Sequence, residues 1–145
     1  ERAAAIARSP HGTDLRALRN CTPFNEEPAC ILELSDCSVV TSSIYERCFT
    51  DEYGNIHHHI VDPRTGRPSN SDLASATVVS KQSIDGDGFS TALLIMGGYW
   101  AKNYAEGHPN LEAVLITRDG QIEATSGIRE AMGCVAGGAE SHTLF

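Results

Sequence analysis

A chain of 145 residues, 41% of them hydrophobic, can bury one core, so a single domain spanning residues 1–145 is expected. With 19 acidic and 11 basic residues the formal charge is −8, and no Lys/Arg cluster offsets it, which argues against a nucleic-acid partner. The longest apolar run, Ala92 to Met96, is far too short to cross a bilayer, and no opening segment combines a charged, an apolar and a cleavage region.

In chain order, residues 3–8 (AAAIAR) and 14–19 (DLRALR) read as short helix-compatible segments, separated by the breaker Pro10-His11-Gly12. Thr22 to Ala29, with Pro23 and Pro28, reads as a loop. ILELSDCSVVTSS (31–43) then alternates as two short strands joined near Asp36. A strand is expected from Asn55 to Val61, a turn from Pro63 to Pro68, and a second strand from Ala74 to Lys81. Over 85–105 the apolar positions Phe89, Leu93, Met96 and Trp100 recur at three- and four-residue spacing, which predicts a helix kinked or interrupted at Gly97-Gly98. LEAVLITRDGQIEATSG (111–127) is a hairpin pattern turning at Asp119-Gly120. The class is therefore α+β. Five cysteines, Cys21, Cys30, Cys37, Cys48 and Cys134, lack CxxC spacing, so thiols are expected over a disulfide framework.

Three stretches carry chemistry. On a continuous strand His57 and His59 share a face and His58 points away, and such an HxH pair can ligate zinc. The further ligands zinc needs (Cys48, His108, His142) stand at no recognisable spacing, so structural imidazoles remain the plain alternative. A turn follows directly, Asp62-Pro63-Arg64-Thr65-Gly66-Arg67-Pro68, able to aim groups at a ligand. In DGDGFSTA (85–92) a calcium-loop reading fails on register, because the twelfth position is Met96 and the sixth is Ser90. Asp87 and Thr91, at i and i+4 with Ser90 beside them, form a hard-oxygen partial shell suited to Mg²⁺; an ordinary helix start is the competing reading. Thr41-Ser42-Ser43 closes a strand with hydroxyls that can bond a nucleotide or simply form a turn.

Together and in this order, GTDLRAL (12–18), SVVTSSIYERCF (38–49), HIVDPRTGRP (59–68), DGFSTALLIMG (87–97) and the final hairpin resemble the ApbE-like family of FAD:protein FMN transferases. The resemblance implies a two-layer arrangement of mainly antiparallel strands with a packed central helix (85–105), and a chain that is the C-terminal half of a longer one. It implies a Mg²⁺-dependent enzyme that cleaves FAD, passes FMN to a threonine of an acceptor protein and releases AMP. Carried over by position, Asp87 and Thr91 become metal ligands with Ser90 adjoining, and His59 becomes the general base. Val61, Ser42, Asp62 and Thr65 fall in the cofactor-binding set. Thr13 and Ser43 replace family glycines. An exported protein, held at a membrane only by an N-terminal lipid, is the implied location. Two other readings stay open: a non-catalytic flavin- or partner-binding module, and a zinc hydrolase built on His57 and His59.

Overall fold

The computed structural model describes residues 14–19, 28–34 and 37–133, with side chains described for Leu34 and 37–128. In chain order the elements are β1 (Asp14–Arg19), β2 (Pro28–Leu34), β3 (Ser38–Ser43), β4 (Cys48–Thr50), β5 (Ile56–His58), β6 (Val61–Asp62), β7 (Arg67–Pro68) and β8 (Leu73–Ser80). There follow α1 (Ser83–Met96), α2 (Gly98–Gly107), β9 (Leu111–Thr117), β10 (Ile122–Ala124), α3 (Ser126–Ala131) and β11 (Met132–Gly133).

The frame is a four-stranded antiparallel sheet in the order β10-β9-β8-β3, with α1 lying on β8 and β3 and α2 on β9. Every residue of the central strand β8 is buried, which its composition, LASATVVS, allows because small and β-branched side chains fit a surface covered on both faces. Alternation divides those faces. Ala76 and Val78 join Leu93, Leu94, Ala113 and Leu115 in the core beneath the helices, while Val79 meets Val39, Val114, Ala124 and Ile128 on the other side. Leu93 and Leu94 are fully buried, each contributing about 1.5–3 kcal/mol by transfer from water. The helix comes down close: a Cβ on Gly86 would stand 2.7 Å from Val40 Cγ2, so only glycine permits this seating of α1 on β3.

An α+β class with mainly antiparallel strands is what the structure has, and the 111–127 hairpin forms as expected, with Gly120 at φ 89° in its turn. Two local expectations change and two are made specific. DLRALR is not helical but strand β1, paired antiparallel with β2 from Asp14↔Leu34 to Ala17↔Ile31, because cross-strand pairing outweighs a weak intrinsic helix preference. Pro28 and Ala29 belong to β2 rather than to the preceding loop. The two strands of 31–43 enter different sheets, β2 pairing with β1 and β11 and β3 with β8. The interruption expected at Gly97-Gly98 is present, as a full break between two helices at Gly97, whose φ of 84° no right-handed helix accommodates; the first helix begins at Ser83 rather than at 85. The AAAIAR segment, Thr13, Cys21, Cys134 and His142 lie outside the described residues.

Residues 44–72 leave the sheet after β3 and return to it at β8, carrying the two small ribbons β4–β5 and β6–β7. Their ends are pinned together, Ser43 opposite Ser75 and the Ile44 amide donating to the Ala74 carbonyl at 3.0 Å. Ile44 and Ile60 anchor this excursion in the core beside Leu93 and Leu94.

Candidate functional site

The helix start DGFST presents its polar groups toward the end of β3. The Ser42 hydroxyl lies 2.9 Å from that of Ser90 and 3.0 Å from that of Thr91, and Ser90 donates to the Asp87 carbonyl at 3.2 Å. Each hydroxyl has one proton. With the Ser90 proton on Asp87, Ser42 must donate to Ser90 and Thr91 to Ser42, so the chain of bonds has a single direction. Its consequence is that the Thr91 oxygen keeps its lone pairs unengaged among the described residues, one helical turn from the exposed Asp87 side chain. Ser90 and Ser42 are buried, at 0% and 4% exposure, and sit behind that pair as its support. The donor set fits a hard cation: an exposed carboxylate and a hydroxyl oxygen, with water and a phosphate left to complete the shell, suit Mg²⁺.

The three histidines separate. The strand predicted from Asn55 to Val61 ends at His58 and resumes at Val61, and between them the Ile60 carbonyl accepts the Ser69 amide at 2.9 Å. His59 thus lies just past the end of β5, although it and His57 line the same open depression. His57 Nε2 is 2.9 Å from Asp51 Oδ2, and its ring stacks on Phe49 at 4.9 Å between centroids. Asp51, which also accepts from Tyr53 and Asn55, is held well below the usual carboxylate range, chiefly by His57 and then by Asn55. His58 is buried, donates from Nε2 to the Ser69 carbonyl at 3.0 Å, and is pushed below the usual imidazole value first by burial. His59 is exposed, and it lines an open depression together with His57, His58, Arg47, Phe49 and Pro68. Among the described residues no three His, Cys, Asp or Glu side chains group as a metal site, which leaves the HxH zinc reading without a third ligand there.

The DPRTGRP turn is a tight ribbon closed by Asp62. Its carboxylate accepts from the Arg64 amide at 2.9 Å, from Arg64 Nε at 3.1 Å and from Nη2 at 2.9 Å, and the Arg64 guanidinium keeps it ionised below the ordinary range. The Asp62 carbonyl takes the Thr65 and Gly66 amides, and the Thr65 hydroxyl takes the Arg67 amide at 3.2 Å. Asp62 and Thr65 thus hold the loop, while Val61, 48% exposed, is the apolar residue it shows to solvent. Arg118, unmarked by any sequence pattern, also belongs here: its Nη2 reaches the Ser69 carbonyl at 3.3 Å from the far end of β9.

Two groups emerge, Asp87-Thr91 with Ser42 and Ser90 behind, and His59 with its ribbon. Among the described residues no hydrogen bond crosses between them; they are related through the core, where Ile60, next to His59, packs with Leu93 and Leu94 of α1. Sequence reasoning passed over His58 and Ser69. The inward phase of His58 on β5 was a usable signal, but Ser69, which gathers bonds from three segments, carries none.

Residues 9–115 match the ApbE family. The chain is 35% identical over 121 residues to the FAD:protein FMN transferase of Treponema pallidum, covering 83% of this chain and 30% of that protein. It is 37% identical over 106 residues to that of Klebsiella pneumoniae, covering 72% and 33%. Among solved structures it superposes on the ApbE protein of Thermotoga maritima with a TM-score of 0.74 at 24% identity, covering 83% of this chain and 38% of that one, a likeness of fold. The apo form of the Pseudomonas stutzeri flavinyl transferase ApbE gives a TM-score of 0.58 at 33% identity, covering 70% and 32%. The chain spans about a third of the length of these proteins. Since the family match runs through the strand-end hydroxyls, the histidine-bearing ribbon and the DGFST helix alike, the chain belongs to the ApbE family.

Proposed function

We propose that this chain carries the cation ligands and the base of an FAD:protein FMN transferase, an enzyme that moves FMN from FAD to a threonine of an acceptor protein and releases AMP. The observation that carries the reading is the one-way hydroxyl chain Thr91→Ser42→Ser90→Asp87, which leaves a hydroxyl oxygen and a carboxylate together on one side of α1. Asp87 and Thr91 would hold Mg²⁺, which supplies positive charge to the phosphate oxygens when bound. His59, an exposed imidazole, takes the proton of the acceptor hydroxyl as the threonine oxygen bonds to the FMN phosphorus and the bond to AMP breaks. Val61, exposed beside it on the ribbon closed by Asp62 and Thr65, offers backbone and side chain to the flavin. The names of the relatives support FAD and an acceptor protein as partners.

The test is incubation of the chain with FAD, Mg²⁺ and a threonine-containing acceptor peptide, watching for AMP and for an FMN adduct by mass. Transfer that is lost in both Asp87→Ala and His59→Ala supports the reading; transfer that survives both overturns the assignment. FAD bound without AMP release would favour a non-catalytic flavin-binding module. An exported, lipid-anchored location belongs to the same proposal, to be read from where the full-length protein fractionates.

A further inference from the structure

We propose that His58 is the positioning residue for His59: its side chain and the backbone of Ile60 hold one residue, Ser69, from both sides of the base. His58 Nε2 lies 3.0 Å from the Ser69 carbonyl, and the Ser69 amide donates to the Ile60 carbonyl at 2.9 Å. The residues immediately before and after His59 are thus tied to the carbonyl and the amide of the same residue, Ser69. His59 spans the gap between these ties, in the bend where β5 stops, and its backbone has little freedom left. Ser69 is itself fixed, 4% exposed, with Arg118 Nη2 on its carbonyl and its hydroxyl accepting the Ser71 amide at 3.4 Å. Ser71 in turn donates to the Leu94 carbonyl at 2.5 Å, which ties the same strand of chain to α1 and so to the helix of Asp87 and Thr91.

The chemistry of the imidazole supports this role over simple filling of space. A carbonyl only accepts, so Nε2 carries the proton and Nδ1 is left as a lone pair. That Nδ1 is buried and has no partner among the described residues. An unsatisfied buried acceptor is destabilising, and a leucine would avoid it. What leucine cannot supply is the N–H that reaches Ser69. Burial first, and then the Arg118 guanidinium, disfavour a second proton on the ring, so it serves as a neutral donor to the Ser69 carbonyl.

The inference rests on His59 as the base, and the test separates the two. In His58→Leu, hydrogen exchange at the Ser69 amide should rise on the order of tenfold while the amides of Val78 and Leu115 in the sheet stay protected. The coupling between the His59 N–H and Cα–H, which reports φ, should average toward a mobile value. Transfer should lose on the order of tenfold in kcat with KM for FAD unchanged. His58→Gln, whose amide can reach the same carbonyl, should restore all three. Unchanged exchange and an unchanged His59 coupling in His58→Leu overturn the proposal, as does a loss of protection spread through the sheet or a loss that glutamine does not restore. If His59→Ala transfers as well as the wild type, the base reading fails instead, and the exchange and coupling measurements still decide the clamp.

Discussion

The hydroxyl of Ser42, near the end of β3, stands 3.0 Å from that of Thr91 in the middle of α1, with the buried Ser90 hydroxyl 2.9 Å away. A strand-end serine thus sets the direction of a helix threonine. Replacing Ser42 by Ala leaves Ser90, which has no exposed surface, without its donor. Ser42→Ala should lower unfolding free energy by about 1–3 kcal/mol, read from urea titration, and it should weaken the response to Mg²⁺.

Magnesium titrated into the chain should shift the amide signals of Asp87, Ser90 and Thr91 in a nitrogen–proton spectrum and leave those of Asp51 and His57 in place. Asp87→Ala should abolish the shifts, because a hydroxyl alone does not hold a strongly hydrated cation. Shifts that persist in the variant would place the ion elsewhere.

At the break between the helices, Gly97 has φ 84° and an added Cβ would come 2.9 Å from Asp72 Oδ1, the oxygen that accepts the Gly98 amide. Gly97→Ala should cost about 1–3 kcal/mol and lower Tm, by straining the backbone and displacing the carboxylate from the start of α2. Gly88, in the interior of α1 with open space around it, should do the reverse: Gly88→Ala gains about 0.5–1 kcal/mol.

Stability should decline in two stages on acidification. His58 is depressed below its ordinary 6.5, so the unfolded chain binds the proton first; its contribution is complete above pH 6.5 and is lost as pH falls toward the folded value. Asp51 is depressed below its ordinary 3.8, so its contribution is complete above that pH and is lost below it. Urea midpoints measured from pH 8 to 3 should show the first stage in the wild type and not in His58→Leu.

Legibility in the sequence followed the range of the interactions. The 111–127 hairpin and strand β8 were readable because turn chemistry and alternation are local. DLRALR was misread as helix because its strand pairing with residues 28–34 is not written within the segment. The interruption at Gly97-Gly98 was readable from the glycine pair, while its being a full break rather than a kink depends on the positive φ at Gly97. Among the candidate site residues, the i and i+4 relation of Asp87 and Thr91 and the turn after His59 are local patterns. The role of Ser42 as a support for Thr91 depends on a contact across 49 residues, and the Ser69 junction joins segments that share no pattern at all.

The excursion 44–72 departs from and rejoins the sheet at adjacent positions, its two ends already bonded to each other. Lengthening or shortening its outer ribbon β4–β5 therefore changes only a closed loop, whose entropy varies slowly with length, and leaves the β3–β8 register untouched. The outer ribbon can therefore be remodelled while Ile60 and Ser71, nearer the end of the excursion, keep their contacts with α1.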